Sequence, residues 1–319
     1  MPNRGASGNL NPREVLALQR LSHGLVMQMG VLALLIAVVL CGFSSRVQET
    51  VRSWFARKPV LLWAVPLILT AIFSLAAVAA RAWNWGLGGL SLAYTAAPVA
   101  CMAAQGPGFA KRPSTLDFAA ILFLWLPLEF GAGARLVALP ARGYLHSVAY
   151  GIAILLGLIL FLGFRWFPGL KYNLPRNPRD LGLAFAGFAL LAPVLIVLGI
   201  AIGFIPPPHL PIKSLGTMAV ALGTIFLGTA LPEEILFRSL IQNLLMLRFG
   251  NSMKVLLAAS FIFGCAHLDN GPQPLPNWRY MILATIAGVA YGRVFQKASS
   301  VTASAALHTM VDWTKHFYF

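Results

Sequence analysis

Acidic side chains are scarce in this sequence: there are nine Asp and Glu in 319 residues. Charge of either sign accounts for 10% of the chain, against about 25% in soluble globular domains. With 58% hydrophobic residues beside that, a soluble fold would have more apolar surface than it could hide. Cysteine is scarce too. Cys41, Cys101 and Cys265 all lie in apolar runs without CxxC spacing. That excludes a disulfide framework or a zinc ribbon and leaves three small hydrophobes. The alternating ten-residue pattern of a membrane barrel is missing. So is an internal repeat, and with it the usual signature of a transporter. The first 22 residues are polar and basic, so no cleavable signal peptide is expected.

What fills the chain instead is apolar runs near the length that spans a ~30 Å hydrocarbon core. They fall at roughly 25–43, 59–80, 84–104, 116–133, 145–164, 181–204, 215–231, 253–268, 279–296 and 300–316, with a mixed run at 233–247 continuing the seventh. Open strands cannot span lipid. The expected fold class is therefore an all-α polytopic membrane protein with nine or ten transmembrane helices in one bundle. Three regions are expected: a basic tail over 1–22, N-terminal transmembrane helices over 23–204, and a C-terminal transmembrane region over 205–319. The last two are divided by the stiff, Pro-rich segment Phe204–Lys213.

Twenty-four Lys and Arg give a net charge of +15. They cluster between the apolar runs, in segments too short for a nucleic-acid-binding domain, so their expected partner is the lipid bilayer and not nucleic acid. Arg46, Arg52, Arg57 and Lys58 form one cluster; Arg165, Lys171, Arg176 and Arg179 form another. Four apolar runs separate them, which puts both on one side. The positive-inside tendency makes that side cytoplasmic, and a bacterial plasma membrane is the expected location. Arg4, Arg13 and Arg20 of the tail argue for the opposite placement of the N-terminus.

Ionisable groups inside a membrane are expensive and functional by default. Most of them here lie in the last third of the chain. In "LPEEILFR", Pro232 and two glutamates read as a helix start, or as a kink in one long helix. Glu234 and Arg238 are four apart and share a face, so they are the natural ion pair, and Glu233 is left free to act as an acid or base. In "FIFGCAHLDNG", Phe263 can pack beside His267, Gly264 permits close approach of another helix, and Cys265 points away from the histidine. Asp269-Asn270-Gly271-Pro272 then reads as a turn. In "ALHTMVDW", His308 and Asp312 share one helical face, where a carboxylate can orient an imidazole. Gly288 and Gly292 upstream offer another close-packing face. Structural ion pairs and hydrogen bonds would account for each motif singly. Glu129, followed by Arg135, reads as a structural pair in the N-terminal part.

Three such groups on successive membrane segments are a set suited to hydrolysis without a covalent nucleophile. A glutamate and a histidine can deprotonate water, and a second histidine can stabilise an oxyanion. The same residues could ligate zinc, although no HExxH helix is present. A proton relay in a transporter or scaffold is a third possibility.

The ordered motifs Glu-Glu-x-x-x-Arg (Glu233, Glu234, Arg238), Phe-x-x-x-His (Phe263, His267) and His-x-x-x-Asp (His308, Asp312) resemble those of the CAAX protease and bacteriocin-processing family, the CPBP or Abi intramembrane proteases. The likeness covers about 215–316. It implies a glutamate-type intramembrane endopeptidase with no cofactor and no metal, acting on a membrane-associated protein or peptide. Carried onto this chain, Glu233 would be the general base and His267 would help hold and activate the water. His308 and Asp312 would form the oxyanion side, with Glu234, Arg238 and Phe263 in support. Many members have Asn where Asp312 stands. An ionised Asp cannot donate a hydrogen bond to an oxyanion, so Asp312 must be protonated or must orient His308.

Overall fold

The computed structural model describes residues 12–129, 143–210, 213–271 and 275–319, with side chains from residue 23 onward. Every apolar run forms a helix. In chain order these are α1 (Pro12–Cys41), α3 (Pro59–Ala79), α4 (Trp85–Ala103), α5 (Thr115–Glu129), α6 (Leu145–Phe164), α7 (Arg179–Ala201), α8 (Leu215–Phe249), α9 (Met253–Cys265), α10 (Trp278–Lys297) and α11 (Thr302–Tyr318). The start signals are local: Asn84, Ser214, Ser252 and Asn277 each accept the backbone N–H three residues on, which satisfies an otherwise orphaned donor. A two-residue parallel ladder, β1 (Gly108–Phe109) with β2 (Arg165–Trp166), is the only sheet among the described residues.

Three comparisons with the sequence expectation are informative. First, the basic segment Arg46–Lys58 is not a loop. Ser45–Arg57 is an amphipathic helix, α2, that buries Phe55 and exposes Trp54. Second, six helices among the described residues are long and apolar enough to cross a membrane, which does not confirm the expected nine or ten: part of α1, then α3, α4, α6, α7 and α8. The helices α5, α9 and α11 are shorter, at 15, 13 and 17 residues, and α10 carries Arg279, Arg293 and Lys297. Third, of the two sequence readings of Pro232, a helix start or one long helix, the second holds: α8 neither ends nor restarts there. It runs through, with wider i→i+5 turns at Phe226–Ala230 and Ile235–Gln242 on either side of Leu231–Glu234. Proline removes one helical donor and crowds the preceding turn, and local widening of the helix accommodates both.

The spanning helices are apolar outside, and a set of polar side chains is buried within an otherwise apolar core. Val26, Leu67, Leu190, Val197 and Val220 stand exposed on the spanning helices, while Glu234, Arg238, Gln242, Ser260, Ser304 and His308 are buried. The two basic clusters lie at one end of the bundle. Arg52 Nε donates to the Leu162 carbonyl at 2.8 Å, and its guanidinium lies 5.4 Å from the centre of the Trp166 ring.

Helices α9 and α10 form a tight pair. A Cβ at Gly264 would strike the Thr285 hydroxyl and sit 2.7 Å from the Met281 carbonyl oxygen. At Gly292 it would meet Gln242 Oε1 and Leu256 Cδ1 at 2.5 Å each. Overpacking of this kind costs about 1–3 kcal/mol or more. Gly264→Val is therefore expected to lower the thermal unfolding midpoint in detergent clearly. Gly89→Ala in α4, where a Cβ meets nothing within 4 Å, should leave the midpoint unchanged or raise it.

The chain before α7 grips the turn between α10 and α11. Lys171 Nζ donates to the carbonyls of Phe295 (2.6 Å), Gln296 (3.0 Å) and Ala298 (2.8 Å) at the negative end of α10. Burial holds its ammonium below the ordinary lysine range, with Asp180 acting the other way. Asp180 accepts from the Ser299 amide at 2.9 Å and its hydroxyl at 2.5 Å. Helix α7 packs along both α10 and α11.

Candidate active site

The regular turn Leu231–Glu234 of α8 carries Glu233 and Glu234, and the wider turn after it carries Arg238, all three on the side of α10 and α11. Glu234 and Arg238 are both fully buried. Arg238 Nε donates to Glu234 Oε2 at 3.1 Å, and the guanidinium lies over the rings of Phe263 (4.8 Å) and Tyr291 (5.9 Å). Gln242, one turn further, joins the network at 3.4 Å from Arg238 Nη1 and donates to the Gly292 carbonyl at 3.1 Å. The close approach permitted by Gly292 is thus what brings α10 within reach of this network.

Glu234 has a second partner that helix spacing alone does not reveal. His308 Nδ1, 74 positions away in sequence, lies 3.2 Å from Glu234 Oε1. A carboxylate only accepts, so Nδ1 carries the proton and the ring is fixed in orientation. Its other nitrogen, Nε2, faces Asp312 Oδ2 at 3.4 Å and Glu233 Oε2 at 3.9 Å. The imidazole is stacked on Tyr291 at 4.6 Å and 22°. Glu233 is the less enclosed of the two glutamates, with a side chain 32% exposed, yet its Oε2 is buried and has no hydrogen-bond partner among the described residues.

His267 lies just past the end of α9, in the turn that follows. Its Nδ1 donates to the Phe263 carbonyl at 2.9 Å, which leaves Nε2 of the neutral ring as an acceptor. The Phe263 ring touches His267 at 4.8 Å and His308 at 5.9 Å, so it stands between the two imidazoles. Tyr280 packs edge-on against the other side of His267 at 4.5 Å.

His267, His308 and Asp312 open onto one pocket of about 680 Å³, counting its mouth. Its walls are largely apolar and come from five places: α7 (Phe188, Leu195), Phe204 and Ile205 of the Pro-rich segment, the end of α9 with its turn (Phe263, His267), α10 and α11. That segment is therefore a wall and not merely a spacer, and His209 is tied back to the Tyr318 carbonyl at 2.9 Å. The seven residues singled out from the sequence thus form one cluster. Tyr280, Tyr291, Gln242 and the α7 wall are additions. Tyr291 had a usable signal, since it lies between Gly288 and Gly292 on the close-packing helix.

Glu129 has a partner within its own helix. Trp125 Nε1 donates to its Oε2 at 3.0 Å, and Trp125 rests edge-on against Phe237 at 5.4 Å. Arg135 lies outside the described residues, as does Pro272 in the turn after α9.

A helical protein whose buried carboxylates and histidines open onto an apolar pocket has the makings of a hydrolase working at the membrane. Residues 215–314, which hold all seven motif residues, match the family described as Type II CAAX prenyl endopeptidase Rce1-like. With six helices long and apolar enough to cross a membrane, the chain has the character of an integral membrane protein, and its C-terminal third is similar to the CAAX-type proteases. No curated protein and no solved structure matches it.

Proposed function

We propose that the protein is a glutamate-type intramembrane endopeptidase that cuts a membrane-associated protein or peptide, with residues 205–319 as its catalytic region and 23–204 as the bundle that supplies the α7 wall. The observation that carries this reading is the geometry around His308: Nδ1 held by Glu234 at 3.2 Å, with Nε2 turned towards Asp312 and Glu233 at 3.4 and 3.9 Å. In this reading Glu233 takes a proton from water while His267 Nε2 accepts the water's other hydrogen. The resulting hydroxide adds to the substrate carbonyl. His308, held among Glu234, Asp312 and Glu233 as an imidazolium with a proton on each nitrogen, donates its Nε2–H to the oxyanion, and Glu233 then returns its proton to the leaving amine. Preorganisation is supplied by Glu234, Arg238 and Tyr291, which fix the imidazole before substrate arrives.

Asp312, 3.4 Å from the same nitrogen, acts by orienting His308 and not as an oxyanion donor. Asp312→Asn keeps a hydrogen-bonding group at that place and should retain kcat within about tenfold, whereas Asp312→Ala should lose about a hundredfold. An Asp312→Asn protein as inactive as the alanine variant would show that the charge itself is required.

The reaction is tested with purified protein in liposomes and a peptide ending in a prenylated Cys-aliphatic-aliphatic-X sequence, the products being read by mass spectrometry. Cleavage that withstands chelators supports the proposal. Among the described residues, no three His, Cys, Asp or Glu side chains are grouped as a metal-ligand set. Stoichiometric zinc with chelator-reversible activity would establish a metalloprotease instead. Solute flux that follows a pH gradient, without cleavage, would establish a transporter.

A further inference from the structure

We infer that Lys315 is a specificity-determining residue that receives the free C-terminal carboxylate of the substrate; the inference rests on the protease reading above. Lys315 lines the pocket at its mouth and is the only Lys or Arg among the described residues to do so. It is three residues beyond Asp312 and seven beyond His308 on α11, so all three share a face. At 1.5 Å per residue, the lysine Cα stands about 10 Å along the helix from that of His308, the span of a few extended residues.

The ammonium is positioned by two rings and makes no close ion pair, although Asp312 one turn back lies within its field. It lies 4.4 Å from the centre of the Tyr280 ring and 4.9 Å from that of Phe204, and no carboxylate is within 4.0 Å of it among the described residues. Tyr280 itself packs on His267, so the ring that steadies the lysine also touches the catalytic cluster. A cation at the mouth of an otherwise apolar pocket favours an anion on the incoming chain. The mouth also lies on the side of Asp312, whose charge would repel a carboxylate that Lys315 did not offset. A peptide's terminal carboxylate satisfies these conditions: it is anionic, it ends the chain, and the residues before it can fill the apolar walls.

The experiment uses the full chain in phosphatidylcholine nanodiscs, so that no anionic lipid competes. Two fluorescent, prenylated peptides are compared, identical except for a C-terminal carboxylate or carboxamide. Binding is read by fluorescence polarisation on the Glu233→Gln protein, so no turnover intervenes. The carboxylate peptide is expected to bind about tenfold or more tightly than the carboxamide. Lys315→Met should bring that ratio close to one, and Lys315→Arg should preserve it. With Glu233 present, Lys315→Met should act on KM for the carboxylate peptide more than on kcat. A lysine that only braced Tyr280 and Phe204 would weaken both peptides alike.

Equal binding of the two peptides, binding of neither, or a preference that survives Lys315→Met would overturn the proposal. Equal cleavage of both peptides by the unaltered protein would remove the carboxylate contact and leave the protease standing. A carboxylate preference in binding with no cleavage of either peptide would do the reverse.

Discussion

Glu233→Gln should abolish peptide hydrolysis while leaving the protein folded. The substitution is nearly isosteric and removes only the capacity to take a proton. Glu233 lies at the edge of the cluster: its Oε2 has no hydrogen-bond partner among the described residues, and the nearest histidine nitrogen is 3.9 Å away. Losing it therefore disturbs no hydrogen bond of the folded state. General-base catalysis by one positioned group is worth about 10²–10⁴ in rate. The expected outcome is a fall of at least that order in kcat, with the thermal midpoint unchanged. Full turnover by the Gln variant would end the mechanism proposed here, since an amide cannot serve as the base. His267→Ala should also inactivate, because the backbone-held Nδ1 leaves Nε2 as its functional atom.

Arg238→Met is expected to produce the largest loss of stability. The arginine is fully buried, is paired with Glu234 and lies over two aromatic rings. Removing one member of a buried pair leaves the other charge uncompensated, at a cost of about 3–5 kcal/mol. Lysine cannot replace the planar, stacked guanidinium, so Arg238→Lys should fall between the two. The double variant Glu234→Gln/Arg238→Met separates stability from chemistry. It should recover much of the thermal midpoint, because no charge is left unpaired. It should not recover activity, because Glu234 also holds His308 Nδ1. If the single and double variants melt together, the pair contributes nothing to the fold and the argument for its structural role is lost.

The parts of the structure legible in the sequence are those governed by short spacings. Apolar runs became helices, Glu234 found Arg238 at i+4, Phe263 found His267 at i+4, and the glycines at 264 and 292 marked close approaches. What was hidden depends on register between distant segments. Nothing local says that His308 will meet Glu234, or that Tyr291 will stack on the imidazole. The sequence left open whether α8 continues through Pro232 or restarts there, because a 3.6-residue period assumes regular turns, and Pro232 lies between two turns that are wider. The helix α2 was hidden because its low hydropathy resembles a loop, although its apolar residues keep to one face. The α7 wall of the pocket was hidden because its residues are as apolar as those facing lipid, and composition cannot distinguish the two.

The grip of Lys171 and Asp180 on the turn before α11 bears on how such a protein can change over time. It sets where α11 begins, and so how far along its axis His308 and Asp312 stand. The residues that make this contact lie upstream of the segment matched by the family, while the carbonyls and the serine they hold lie inside it. The family segment is therefore not a self-sufficient cassette. Grafted onto another amino-terminal bundle, it would lose the reference point for its last helix, and the two parts of this chain are bound to drift together or not at all.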